Sequence, residues 1–218
     1  MIGLILLVVF AVLVIRNTEI REEDVSGIPR KISDKMGKLW DIAHQGMREN
    51  RFLRAEKALL TILKMDQKNA AAYNRLGILY AKQKEYKDAI DCFEIASSIE
   101  PTASSLHNLG LIYFETENYQ KAATAFEQAL KLEEGLAARH VAYAKVQEKL
   151  GNNKLMLEEL RRAIQLEPNP ESFSLLIKAY EGLGLNAEAD LLKDKMARVK
   201  AAKSSNPKKM FRPKRVVI

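Results

Sequence analysis

The 218 residues include one cysteine, Cys92, which excludes an intramolecular disulfide and any multi-cysteine zinc site. Three histidines with no cysteine cluster beside them argue against a metal centre. Six prolines and ten glycines are too few for a sheet protein with many turns, and favour long elements. No glycine-rich phosphate loop and no nucleophile elbow occur. Acid is missing from the C-terminal end: from Lys195 onward there are nine Lys or Arg residues and no Asp or Glu. The net charge is +7, so removing those nine leaves −2 (7 − 9) for the first 194 residues. The basicity belongs to the tail, and the body carries no electrostatic sign of nucleic-acid binding. Charge is also absent from the first fifteen residues, MIGLILLVVFAVLVI.

A repeat spaced by 33 or 34 residues runs through the rest. Ala43, Gly77, Gly110, Ala144 and Ile177 form one series; Ala55, Ala89, Ala122, Met156 and Ala189 form another, always twelve residues later. Each unit holds two apolar stripes at helical spacing, such as Leu76, Leu79 and Tyr80, then Ala89, Phe93 and Ala96. Turn-forming stretches divide the stripes: Lys84-Glu85, Glu117-Asn118 and Gly151-Asn152-Asn153. Pro101-Thr102 and Pro168-Asn169-Pro170 divide the units. The small residues Gly77 and Gly110 let two helices approach closely, and Phe93 and Phe126 are expected to fill the space between neighbouring hairpins.

Tyr73, Leu76, Gly77, Tyr80, Ala89, Phe93, Ala96 and Pro101 in the second unit resemble the tetratricopeptide repeat, as do Leu106, Leu109, Gly110, Tyr113, Ala122, Phe126 and Ala129 in the third. Tyr73 stands where that family most often has Trp, and Lys193 stands in the last unit where Phe93 and Phe126 stand in theirs. The resemblance implies an all-α, right-handed superhelical solenoid of about five helix hairpins over residues 36–203. The units are 36–69, 70–102, 103–136, 137–169 and 170–203. A polar tether (16–35) precedes them and a basic disordered tail (204–218) follows. Stacking of neighbours is what stabilises such units, since one hairpin cannot bury both its stripes.

The family lines its concave groove with the first helix of each unit. Carried over, the groove positions are Trp40, His44 and Met47; Asn74, Ile78 and Lys82; His107, Leu111 and Phe114; and Val141, Lys145 and Lys149. The expected ligand is an extended or helical peptide bearing apolar and acidic groups. Either Trp40 and Met47 face an open groove, or residues 16–35 fold back over them. Some members clamp a C-terminal carboxylate. Asn108 matches one part of that clamp, but Asn74 and Ile78 stand where its Lys and second Asn are required, so the clamp is not expected.

No constellation for catalysis is found. His140 is expected as a hydrogen-bonded core residue, Cys92 as a packing residue, and Glu133-Glu134 and Glu158-Glu159 as solvated or helix-end acids. His44 and His107 lack a paired acid or ligand at a useful spacing. The expectation is a non-enzymatic scaffold or adaptor that binds protein or peptide partners, with no cofactor and no metal.

Residues 1–15 have no basic residues before them and no A-x-A-like cleavage site after them, unlike an export signal. A helix there is roughly 22 Å long, short of the ~30 Å hydrocarbon core, but Arg16 can snorkel. They are read as an uncleaved transmembrane anchor. Arg16, Arg21, Arg30, Lys31 and Lys35 all follow it, so the positive-inside rule puts the repeats on the cytoplasmic side, in the manner of a bacterial inner-membrane protein. In the tail, Lys208, Lys209, Arg212, Lys214 and Arg215 form a possible surface for anionic lipid or an acidic partner. Two other functions stay open: an exported or periplasmic assembly factor, or a lipid- or nucleic-acid-associated factor acting through that tail.

Overall fold

The computed structural model describes residues 33–204, and every regular element among them is an α-helix. The expected anchor, most of the tether and residues 205–218 lie outside the described residues. Among the described residues no helix is long and apolar enough to cross a membrane. The chain divides into two compact units, Met1–Ile99 and Glu100–Ile218. The first holds α1 (residues 33–48), α2 (Phe52–Met65), α3 (Ala70–Gln83) and α4 (Tyr86–Ile99). The second holds α5 (Ala103–Glu115), α6 (Tyr119–Leu132), α7 (Ala137–Lys149), α8 (Asn153–Leu166), α9 (Pro170–Gly182) and α10 (Asn186–Ser204). Helix α1 has already formed at residue 33, within the stretch expected as tether.

One device makes each hairpin turn. Asn50, Lys84, Glu117, Gly151 and Gly184 all have left-handed backbones, with φ of 55°, 64°, 59°, 75° and 73°. Their spacing is that of the sequence repeat. At Lys84 the next amide, Glu85 N–H, donates to the Tyr80 carbonyl at 2.9 Å, while Lys84 N–H donates to the Ala81 carbonyl at 3.1 Å. This is the paired helix-ending motif that satisfies orphan carbonyls. The pairs Asn118 to Tyr113, Asn152 to Gln147 and Leu185 to Tyr180 repeat it. Helix starts are secured by side chains: Asn69 accepts from Ala72 N–H at 3.0 Å and Asn169 from Ser172 N–H at 2.9 Å. Thr102 and Ser105 form a reciprocal box at the head of α5.

Within each of the first four hairpins a small residue on the first helix faces a large one on the second. The Phe93 ring lies directly over Gly77 of its own hairpin, so close that a Cβ there would be 2.7 Å from the ring. Phe126 lies likewise over Gly110, at 3.0 Å. These rings therefore pack against the first helix of their own hairpin, where the glycines leave room for them. At the same repeat positions the first and fourth hairpins place Ala43 with Leu59 and Ala144 with Leu160, all buried. The last places buried Ile177 opposite Lys193, whose ammonium reaches solvent and pairs with Glu181 and Asp190 at 2.9 Å each. In the first four hairpins a small partner accompanies a large one, so the summed volume stays nearly constant there.

Candidate functional site

In the second unit, α5, α7 and the start of α9 border a cleft of about 350 Å³. On α5, His107, Leu111 and Phe114 recur at i, i+4 and i+7 and so share one face. On α7, Ala138, Val141, Ala142 and Lys145 do the same. The segment leading into α9 adds Glu167, Asn169, Glu171 and Ser172, and the end of α5 adds Glu115. The floor is apolar, and Leu111 remains 39% exposed in it.

His107 is fixed by its contact with the buried Phe126 ring, which it meets edge-on at 5.4 Å between centroids. Its Nδ1 is buried and has no hydrogen-bond partner among the described residues. Burial, with a smaller contribution from the Arg139 guanidinium, pushes the imidazole below its usual 6.5. It is therefore neutral at neutral pH. The cleft then carries one cation, Lys145, against three carboxylates, Glu115, Glu167 and Glu171. The rim is acidic, the reverse of the groove expected from sequence. Glu167 and Glu171 flank the divider Pro168-Asn169-Pro170, outside the first-helix positions that define the expected groove. A mostly apolar concavity with a few polar groups at its edge suits a peptide side chain flanked by cations.

The structure thus brings together His107, Leu111, Phe114, Val141 and Lys145 from the groove positions. Lys149, one turn further along α7, is exposed but outside the cleft. In the first unit, Trp40 is half-buried, packs on the core and stacks on exposed His44 at 5.5 Å. Ile78 packs partly on the same core, Asn74 is half-buried, and Lys82 is exposed. Met47 is not a groove residue. It is 8% exposed and belongs to the core with Ala43, one helical turn before it on the same face.

The buried polar groups are structural. His140 lies in the core, with Nδ1 2.6 Å from Glu159 Oε2 and Nε2 2.8 Å from the Glu134 carbonyl. Glu159 is therefore half-buried and partnered, not a solvated acid, because it sits nineteen residues on, across the hairpin from His140. Arg139 is held by Glu133, through its carbonyl and its carboxylate, both at 2.9 Å. Burial, with nearby Asp88 and Asp91, pushes the Cys92 thiol up to about 11, so it is an inert packing group and no thiolate nucleophile.

Residues 70–102 and 101–167 match the Tetratricopeptide repeat family. No curated protein sequence matches the chain. Similar solved structures include the crystal structure of MamA protein, 22% identical with a TM-score of 0.72, covering 81% of this chain and 97% of that one. MamA 41-end from Desulfovibrio magneticus RS-1 is 15% identical, with a TM-score of 0.70 over 78% and 97%. YrrB, a TPR protein with an unusual peptide-binding site, is 20% identical, with a TM-score of 0.64 over 73% and 83%. At these identities the likeness is one of fold. Residues 70–167 thus carry tetratricopeptide repeats, and the described helices share the fold of these solved structures.

Proposed function

We propose that this chain is a non-enzymatic, membrane-anchored scaffold that binds peptide segments of partner proteins along the first-helix face of a solenoid. The observation that carries this reading is the convergence of Leu111, Phe114 and Val141 in an open apolar cleft with an acidic rim. The ligand it suits is a segment with one or two large apolar side chains among Lys or Arg residues, since Glu115, Glu167 and Glu171 meet cations at the edge. That YrrB is a TPR protein with a peptide-binding site supports the same use of the fold. Residues 1–15 are proposed to hold the scaffold in a bacterial inner membrane with its repeats on the cytoplasmic side.

Peptide arrays probed with the full chain test the binding reading. Apolar–basic peptides are expected to be retained over apolar–acidic ones, and Leu111→Asp is expected to abolish retention with helicity unchanged. Preference for acidic peptides, or indifference to Leu111→Asp, refutes it. Resistance to alkaline extraction and shielding of the repeats from externally added protease in intact cells test the membrane reading.

A further inference from the structure

The acidic cleft and the tail of the same chain are chemically matched. Residues 205–218 carry Lys208, Lys209, Arg212, Lys214 and Arg215 and no acid, and their first apolar pair, Met210-Phe211, is flanked by cations on both sides. The cleft offers apolar walls at Leu111, Phe114 and Val141, and carboxylates at Glu115, Glu167 and Glu171. Helices α9 and α10 form a hairpin, so the end of α10 points back towards the start of α9, where Glu171 and Ser172 border the cleft. With 19 residues against 13, α10 overshoots α9 by about 9 Å at ~1.5 Å per residue. Six residues separate Ser204 from Met210, a span of ~20 Å when extended, against that overshoot of about 9 Å.

We propose that the tail is an internal ligand: Met210-Phe211 occupies the apolar part of the cleft in its own chain, and Lys208, Lys209 and Arg212 face its three glutamates. This rests on the peptide-cleft reading and adds a regulation to it, because a partner must displace the tail before it binds. Tethering makes the demand on affinity small. A short flexible tether holds its ligand at an effective concentration on the order of 1 mM, so an intrinsic Kd of about 0.1 mM fills the cleft about nine times in ten. An external peptide then binds about tenfold more weakly than its intrinsic affinity.

Two measurements on the full chain test this. With the photo-reactive p-benzoylphenylalanine in place of Phe211, irradiation is expected to link the tail to Leu111, Phe114 or Val141 within one chain. The link is expected to fall at least tenfold in the exposed triple variant Glu115→Lys/Glu167→Lys/Glu171→Lys. Links only between two copies, or no link to the cleft and transfer of the tail to vesicles of phosphatidylglycerol, overturn the proposal. Separately, a labelled peptide of residues 206–218 is added to the wild-type chain and to Met210→Ser/Phe211→Ser. The variant is expected to bind it about tenfold more tightly. Equal binding that Leu111→Asp abolishes in both chains overturns the internal ligand and leaves the cleft reading standing. Binding indifferent to Leu111→Asp removes both.

Discussion

Gly77→Ala should lower stability even though it replaces the poorest ordinary helix former with the best. In a helix interior, Ala is favoured over Gly by about 0.8–1 kcal/mol. Against that, the new Cβ would stand 2.7, 2.7 and 2.8 Å from three ring carbons of Phe93. Carbon atoms pack best at ~3.5–4.0 Å, and the ring is 1% exposed, so it has no free space to swing into. Overpacking a dense core costs about 1–3 kcal/mol, which leaves a net loss of about 0–2 kcal/mol. Gly110→Ala, whose Cβ would lie 3.0 Å from Phe126, should lose less. Gly37→Ala, with nothing within 4 Å, should gain up to about 1 kcal/mol from propensity alone.

The assay is denaturant unfolding of the full chain followed by helical circular dichroism. The discriminating variant is the double substitution Gly77→Ala/Phe93→Leu, which installs the small–large pair found at Ala43 with Leu59 and Ala144 with Leu160. Phe93→Leu alone opens a void over Gly77. Together the two should be better than their sum by about 1 kcal/mol, a normal coupling for residues in contact. Two results would refute the volume-compensation argument: Gly77→Ala at least as stable as wild type, or strict additivity in the double variant.

Lys84→Gly and Glu117→Gly should each raise stability by roughly 0.5–1 kcal/mol, because both residues hold left-handed backbones that disfavour a Cβ. Gly151→Ala should lower it, and unfolding midpoints check the order. His107 has a depressed folded pKa, so it contributes stability that is fully present above the unfolded value of 6.5 and is lost as pH falls from there through the folded value. Unfolding titrations between pH 7 and 5 should show that slope reduced in His107→Gln. Glu159→Ala removes the Nδ1 partner of buried His140 and should cost about 1–3 kcal/mol. Glu158→Ala, on the exposed neighbour, should fall within ~0.5 kcal/mol of wild type.

The repeated part of the fold was legible because each repeat imposes the same backbone requirement at the same offset. Ala55, Ala89, Ala122 and Ala189 recur at one offset where two helices meet and all are fully buried, with the buried Met156 in that place in the fourth unit. The turns at Lys84-Glu85, Glu117-Asn118 and Gly151-Asn152-Asn153 were legible as breaks between stripes, but not as one shared backbone conformation. A left-handed turn is made by Asn50, Lys84, Glu117, Gly151 and Gly184, four residue types with one backbone and no common side-chain signal. Met47 was misplaced because a frame carried over from matching positions gives the phase of a helix but not which side chains bend inward; its proximity to Ala43 on the helix face was the usable cue. Glu159 was misread as half of an acid pair when its partner stood nineteen residues earlier, a separation that local inspection does not connect.

The same contrast separates the residues that shape the cleft from those that select its ligand. Gly110 and Phe126 belong to the repeated frame, and Phe126 also positions His107 at the cleft floor. Leu111, Val141, Lys145, Glu115 and Glu171 occupy positions where successive repeats differ, so they are free to vary without disturbing the hairpin, whereas Glu167 has the acids Asp66, Glu100 and Glu133 at its position in the earlier units. Changing the variable positions should therefore alter what binds while leaving unfolding midpoints within about 0.5 kcal/mol of wild type. Changing Gly110 or Phe126 should instead move stability and binding together. A charge-reversal series at Glu115, Glu167 and Glu171 that weakened folding as much as binding would show that the rim is part of the frame, and the acidic edge would then be no evidence about the ligand.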